Sequence, residues 1–255
     1  MKFCSLASGS SGNCLYISSN GTDVLIDAGL SAREAVSRLQ QIGGAPDRIA
    51  ALLITHEHSD HCHGAGVLAR RFACPIYTTE RTLEAIEWYL LGGKVRTHTF
   101  RIDEPFAVGS LTFHPFRVFH DAREPCGLVI EDDCIRLGIA TDLGVVTASV
   151  LDALAGCHMV ILEANHDLDM LIHGGYPWHL KQRIRSEVGH LSNKACGEAL
   201  AKLAAGGMKV AVLAHLSQNN NRPDLALETV RRYLEGTEVE LRIAPRDRLG
   251  DVVEI

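Results

Sequence analysis

The fold class this sequence predicts is a layered sandwich of β-sheet and helix, in the mixed α/β to α+β range, and three observations predict it. Six apolar runs of strand length punctuate the chain, several of them too uniformly apolar to have one face in water. Amphipathic helical patterns lie between them. A β-rich stretch over about residues 95–140 breaks the simple strand–helix–strand rhythm, which favours packed layers over a doubly wound sheet.

In chain order, CLYIS (14–18) and DVLID (23–27) read as strands flanking a short turn. Ser31 and Glu34 then stand at the spacing of a capping box ahead of Ala35, Val36 and Leu39, which predicts a helix. ALLIT (51–55) is the next strand, and RLGIA (136–140) closes the β-rich stretch. Val146, Val150, Leu151 and Leu154 mark one face of a further helix, before the strand MVILEA (159–164). Ser192 and Asn193 are cap residues for a helix carrying Ala195, Ala199, Leu200 and Leu203. KVAVLAH (209–215) is the last long apolar run, and Pro223 suits the first position of a helix with Leu227, Val230 and Leu234 inward. With no low-complexity linker and no repeat of 20 to 50 residues, residues 1–255 are expected to form one domain.

Composition excludes some functions. A net charge of −6 rules out a surface that is basic all over, so nucleic-acid binding would have to use a local patch. Cys4, Cys14, Cys62, Cys74, Cys126, Cys134, Cys157 and Cys196 are scattered, form no CxxC pair, and follow a start, MKFCSLASGSSGN, without an apolar signal region. Reduced thiols in a cytoplasmic protein are expected. No apolar run approaches the ~20 residues that span a bilayer, so no membrane association is expected.

The segment THEHSDHCHG (55–64) carries the chemistry. His56, His58, Asp60 and His61 leave the end of the strand ALLIT, where α/β sheets place function. Three imidazoles and a carboxylate are ligands for zinc, manganese or iron, and the absence of cysteine among them points to open, catalytic coordination. His120 in RVFHDA, Asp142 in GIATDLG and His215 in VAVLAHLS each follow an apolar run in the same way.

With these positions in place, the chain resembles the metallo-β-lactamase-fold hydrolases over nearly its whole length. The resemblance implies a four-layer αββα sandwich with two divalent metal ions at one edge. His56, His58 and His120 would bind one ion, Asp60, His61 and His215 the other, with Asp142 bridging and Asp27 in VLIDAG supporting the histidine loop. LASGSSGNCLYI, ILEANHD, YPWHLKQRI, GHLSN and HLSQNNN are similar to YycJ/WalJ-type metallohydrolases, relatives of ribonuclease Z. That type implies a 5′-to-3′ exonuclease on DNA, using a hydroxide shared by two metals, and RNA or a smaller phosphodiester in place of DNA is the alternative the residues leave open. Asp60 would assist that hydroxide, and His190, oriented by Glu163, would protonate the leaving group. The loop 8–13 is either a phosphate cradle using Ser10 and Asn13 or a plain turn. Lys181, Arg183 and Arg185 are either a basic track or a solubilising helix surface, with Asn193 as a further candidate contact. A glyoxalase II-like thioester hydrolase and a non-catalytic nucleic-acid-binding scaffold are the rival readings. The GHLSN segment between Asp142 and His215 tells against the first, and the filled set of ligand positions against the second.

Overall fold

Successive side chains of a strand face opposite ways, so strands apolar throughout need cover on both sides. The computed structural model, which describes residues 1–86 and 92–255, supplies that cover. Its strands are β1 (Lys2–Ala7), β2 (Cys14–Ser19), β3 (Thr22–Ile26), β4 (Ile49–Leu53), β5 (Ile76–Thr79), β6 (Thr97–Phe100), β7 (Phe106–Val108), β8 (Leu111–Arg117), β9 (Cys126–Glu131), β10 (Arg136–Ala140), β11 (Met159–Glu163), β12 (Val210–Ala214), β13 (Glu240–Ile243) and β14 (Val253–Glu254). They form two seven-stranded sheets, ordered β14-β1-β2-β3-β4-β5-β6 and β13-β12-β11-β10-β9-β8-β7. In each sheet, antiparallel pairings give way to parallel ones, at β3–β4 and at β10–β11.

The helices are α1 (Ala32–Gln41), α2 (Ser59–Cys62), α3 (Ala65–Phe72), α4 (Glu80–Ala85), α5 (Ala148–Leu154), α6 (Leu168–His173), α7 (Trp178–Ile184), α8 (Asn193–Ala204) and α9 (Pro223–Tyr233). Val210, Val212 and Ala214 of β12 face Ile17, Val24 and Leu53 of the other sheet in a central core. Ala211 and Leu213 face outward, under Leu200, Leu203, Val230 and Leu234 of the α8 and α9 region. On the opposite side, Leu25 and Leu52 pack beneath Leu39 and Leu68. The layers are therefore helix, sheet, sheet, helix. No helix among the described residues is long and apolar enough to cross a membrane, and no disulfide joins the cysteines.

The helix ends follow the side chains. The Ser31 hydroxyl accepts from the Glu34 N–H and donates to its carboxylate, Ser192 caps α8 through the Ala195 N–H, and Pro223 opens α9. Val146 falls outside α5, because the Thr147 hydroxyl accepts from the Val150 N–H and starts the helix one residue later. β13 and β14, which no apolar run announced, are short strands at the open ends of the sheets.

Candidate metal centre

Parallel register brings the carboxyl ends of the central strands to one edge. Glu163 pairs with Ala214 and Ala140 with Leu162, so the chain leaves β10 toward Asp142 and β12 at His215 on the same side as Glu163. In the other sheet Ile26 pairs with Leu53, which places Asp27 beside Thr55 and His56. Asp27, Asp142 and His215 all have left-handed backbones, with φ of 64°, 56° and 54°. Each such residue costs about 1–3 kcal/mol and persists where the surrounding structure holds it, commonly at functional sites.

Ligand atoms of His56, His58 and His120 lie within 4.8 Å of one another, as do those of Asp60, His61 and His215. Asp142 sits between the groups. Its Oδ2 is 3.1 Å from His61 Nε2, and its Oδ1 is 3.2 Å from His215 Nδ1 and 3.9 Å from His120 Nε2. His58 Nδ1 approaches His120 Nε2 at 3.3 Å.

The rings are held from behind. His61 Nδ1 donates to Asp27 Oδ2 at 2.8 Å, His215 Nδ1 to Glu163 Oε1 at 2.7 Å, and His120 Nδ1 to the Gly189 carbonyl at 3.0 Å. Asp27 also accepts from the Thr55 N–H and hydroxyl, and that hydroxyl lies 3.0 Å from His56 Nδ1. Such partners fix the tautomer and leave the other nitrogen to a metal. His56 Nε2, His215 Nε2 and Asp142 Oδ2 are buried with no hydrogen-bond partner among the described residues. Buried polar atoms are almost always paired. Three orphans converging beside further imidazoles and Asp60 form a donor set that fits divalent cations.

Electrostatics agree with that fit. Burial, reinforced by neighbouring rings, holds His56 well below the ordinary imidazole range, so it is a neutral, ligand-ready ring. Against burial, the carboxylates of Asp142, Asp60 and Glu163 around the ring push His215 up to about 10. Burial opposes protonation of His61 too, but Asp142 and Asp27 hold it well above its usual range. The amide Nδ2 of Asn13 lies 2.9 Å from His61 Nε2, so that nitrogen's lone pair accepts from the amide unless a metal takes it instead. Metal binding replaces such protons, since ligands bind deprotonated.

The histidine loop is clamped between its neighbours. The Ala28 N–H donates to the His61 carbonyl and the Asn13 N–H to the Asp60 carbonyl, both at 2.7 Å. Gly29 is required there, because a Cβ would stand 1.7 Å from the Asp60 carbonyl oxygen. His190 Nδ1 donates to Glu163 Oε1 at 2.8 Å, and the second Glu163 oxygen accepts from the Leu143 and Leu191 N–H groups. Glu163 thus braces two histidines, His190 and His215, where a partner of His190 alone was expected.

The expected substrate contacts separate. Ser10 is exposed on the 8–13 loop. Asn13 is buried, and its amide reaches Gly9 O and the Asp60 Oδ2 and His61 Nε2 atoms that the cluster offers to a metal. Lys181 is no part of a basic track: it is 8% exposed, and its ammonium donates to the Ile172 and Gly174 carbonyls at 2.7 Å, joining α7 to the end of α6. Asn193 is likewise a correction, fully buried in a reciprocal amide pair with Asn221 that ties α8 to the 164–165 turn. Arg183 is exposed at the rim and grips Asp121. Asp121 was not expected. Its Oδ1 lies 3.4 Å from His120 Nε2, and only its place directly after a candidate ligand could have signalled it.

Comparison with known proteins extends these observations. The sequence profile of the beta-lactamase superfamily domain matches residues 22–216. Exodeoxyribonuclease WalJ of Streptococcus pneumoniae is 39% identical over 236 residues, covering 91% of this chain and 88% of the relative. Exodeoxyribonuclease YycJ of Bacillus anthracis is 37% identical over 237 residues, covering 92% and 89%. Among solved structures, the metallo-beta-lactamase fold protein YhfI from Bacillus subtilis superposes with a TM-score of 0.77 at 18% identity, over 100% of this chain and 99% of that one. Human tRNase Z, short form, gives 0.67 at 18% identity over 100% and 99%. Both structural likenesses speak to fold alone.

Proposed function

We propose that this chain, which belongs to the beta-lactamase superfamily, is a metal-dependent exonuclease that shortens DNA from the 5′ end. The observation that carries the reading is the donor set converging beside a Glu163-braced His190. His56, His58 and His120 would hold one divalent cation, and Asp60, His61 and His215 a second, with Asp142 shared. Zinc, manganese and iron all suit imidazole and carboxylate donors. When bound, the pair supplies a nucleophile from water at neutral pH and offsets charge developing at phosphorus.

The chain's own residues do the rest. Asp60, partly exposed beside His61 and His215, orients the O–H of the attacking water. His190 donates Nδ1–H to Glu163, which leaves its Nε2–H for the departing 3′ oxygen as the P–O bond breaks. Glu163 favours the protonated ring, against its burial. An alkoxide needs that proton far more than a thiolate does, since thiols ionise near 8.5 and water near 15.7. The His190–Glu163 pair therefore supports a phosphodiester over a glyoxalase II-like thioester substrate. The similar exodeoxyribonucleases support DNA over RNA or a small phosphodiester. Eight unpaired cysteines support a cytoplasmic setting.

The test is end-labelled DNA, single- and double-stranded, incubated with manganese- or zinc-loaded protein beside an Asp60→Ala/His61→Ala control. Stepwise release from the 5′ end by the intact protein alone is expected. Uncut DNA alongside hydrolysis of a glutathione thioester would overturn the reading.

A further inference from the structure

Asp121 and Arg183 are an ion pair at the open rim of the centre. Arg183 Nε donates to Asp121 Oδ2 at 2.7 Å, and Nη2 contacts the same oxygen. The other carboxylate oxygen lies 3.4 Å from His120 Nε2 and 4.0 Å from His58 Nε2. A carboxylate so placed would repel an incoming polyanion, and the guanidinium cancels its charge. The pair is anchored, because the Asp121 N–H donates to the Val188 carbonyl and the Ser186 hydroxyl to the Arg183 carbonyl. That same turn supplies Gly189 to His120 and continues into His190.

Arg183 retains capacity to bind. Its side chain is 61% exposed against 27% for Asp121. A guanidinium has five N–H donors, and Asp121 engages only the Nε and Nη2 side, so the Nη1 end has no acceptor among the described residues. One carboxylate group separates the guanidinium from His120 Nε2. The guanidinium thus stands beside the cluster, on the outer side of Asp121, rather than among the ligand atoms.

Resting on the phosphodiesterase reading, we propose that Arg183, positioned by Asp121, anchors the phosphate adjacent to the scissile one, and so makes the centre prefer a polynucleotide over a diester with a single phosphate. Arg suits this role because its planar fork takes phosphate oxygens in pairs.

The test compares kcat/KM for an oligonucleotide with that for the p-nitrophenyl ester of thymidine 5′-phosphate. Metal-loaded wild type, Arg183→Ala, Arg183→Lys, Asp121→Asn and the Asp121→Asn/Arg183→Ala double variant are used, with metal content measured in each. Arg183→Ala is expected to lower the oligonucleotide-to-ester ratio about tenfold or more through KM. Arg183→Lys falls between, and the double variant stays low. The salt dependence of oligonucleotide binding should fall by about 0.7–0.9 in log–log slope, one phosphate contact. A double variant with the wild-type ratio overturns the proposal, since Arg183 then only neutralises Asp121. Metal loss in Asp121→Asn that tracks its activity also overturns it, by making Asp121 a ligand. Wild type inactive on both substrates would sink the phosphodiesterase reading itself.

Discussion

The two halves of the centre are held by different means. Around His61 and His215 the supports are buried carboxylates, Asp27 and Glu163, each within 2.8 Å of a ring nitrogen. Around His56 and His120 they are a hydroxyl and a backbone carbonyl, and His58 meets a neighbouring ring at 3.3 Å and Asp121 at 4.0 Å. Carboxylate partners raise the basicity of a ligating imidazole, whereas neutral partners mainly orient it. If each half takes a cation as proposed, the more buried His61 and His215 side is expected to bind the tighter one. The other side is expected to bind more loosely, and there His58 and Asp121 are partly exposed to solvent.

The contrast can be broken or sharpened by mutation. The largest effect is expected from Asp142→Ala, which removes the carboxylate that lies between the two groups of ligands and is proposed to be shared by them. Metal affinity should fall beyond the ~100-fold typical of a supporting partner, with nuclease activity at background. His190→Ala should lower kcat on DNA by about 10²–10⁴ while leaving metal content intact, and should matter far less for a p-nitrophenyl ester that needs no acid. Asp27→Asn should weaken metal binding by about 10–100-fold at the His61 pocket, read by competition with a chelating dye. Thr55→Val, which removes a neutral hydroxyl that touches both His56 and Asp27, should weaken metal binding less than Asp27→Asn. Smallest for function are Lys181→Met and Asn193→Ala. Each leaves buried acceptors or donors unpaired and should cost about 1–3 kcal/mol in urea unfolding, with KM for DNA unchanged.

Much of this was legible in the sequence for a physical reason. His56, His58, Asp60 and His61 fall within six consecutive residues, so their chemistry is visible without a fold. His120, Asp142 and His215 each follow an apolar run, and the strands before them, β8, β10 and β12, run in one direction, which delivers such positions to one edge. The layered fold followed from strands apolar on both faces, and the helix caps from Ser31, Ser192 and Pro223. Lys181 and Asn193 misled because a cation or amide on a helix looks the same whether it faces solvent or caps a neighbouring turn's carbonyls. Asp121 was missed because a lone acid fits no spacing, and its meaning comes from Arg183, 62 residues away. Glu163 was visible as a partner of His190, but its hold on His215 depends on the pairing of β11 with β12. Edge strands β13 and β14 lacked a signal because edges need little apolar cover.

The decisive number is metal content after equilibration at a series of limiting manganese or zinc concentrations, measured by mass spectrometry for wild type and Asp27→Asn. Two unequal pockets predict two equivalents per wild-type chain, bound in separate phases, with the tighter phase moved to weaker binding in Asp27→Asn and the looser one unmoved. A single equivalent in wild type, or two that weaken together in the variant, would contradict it.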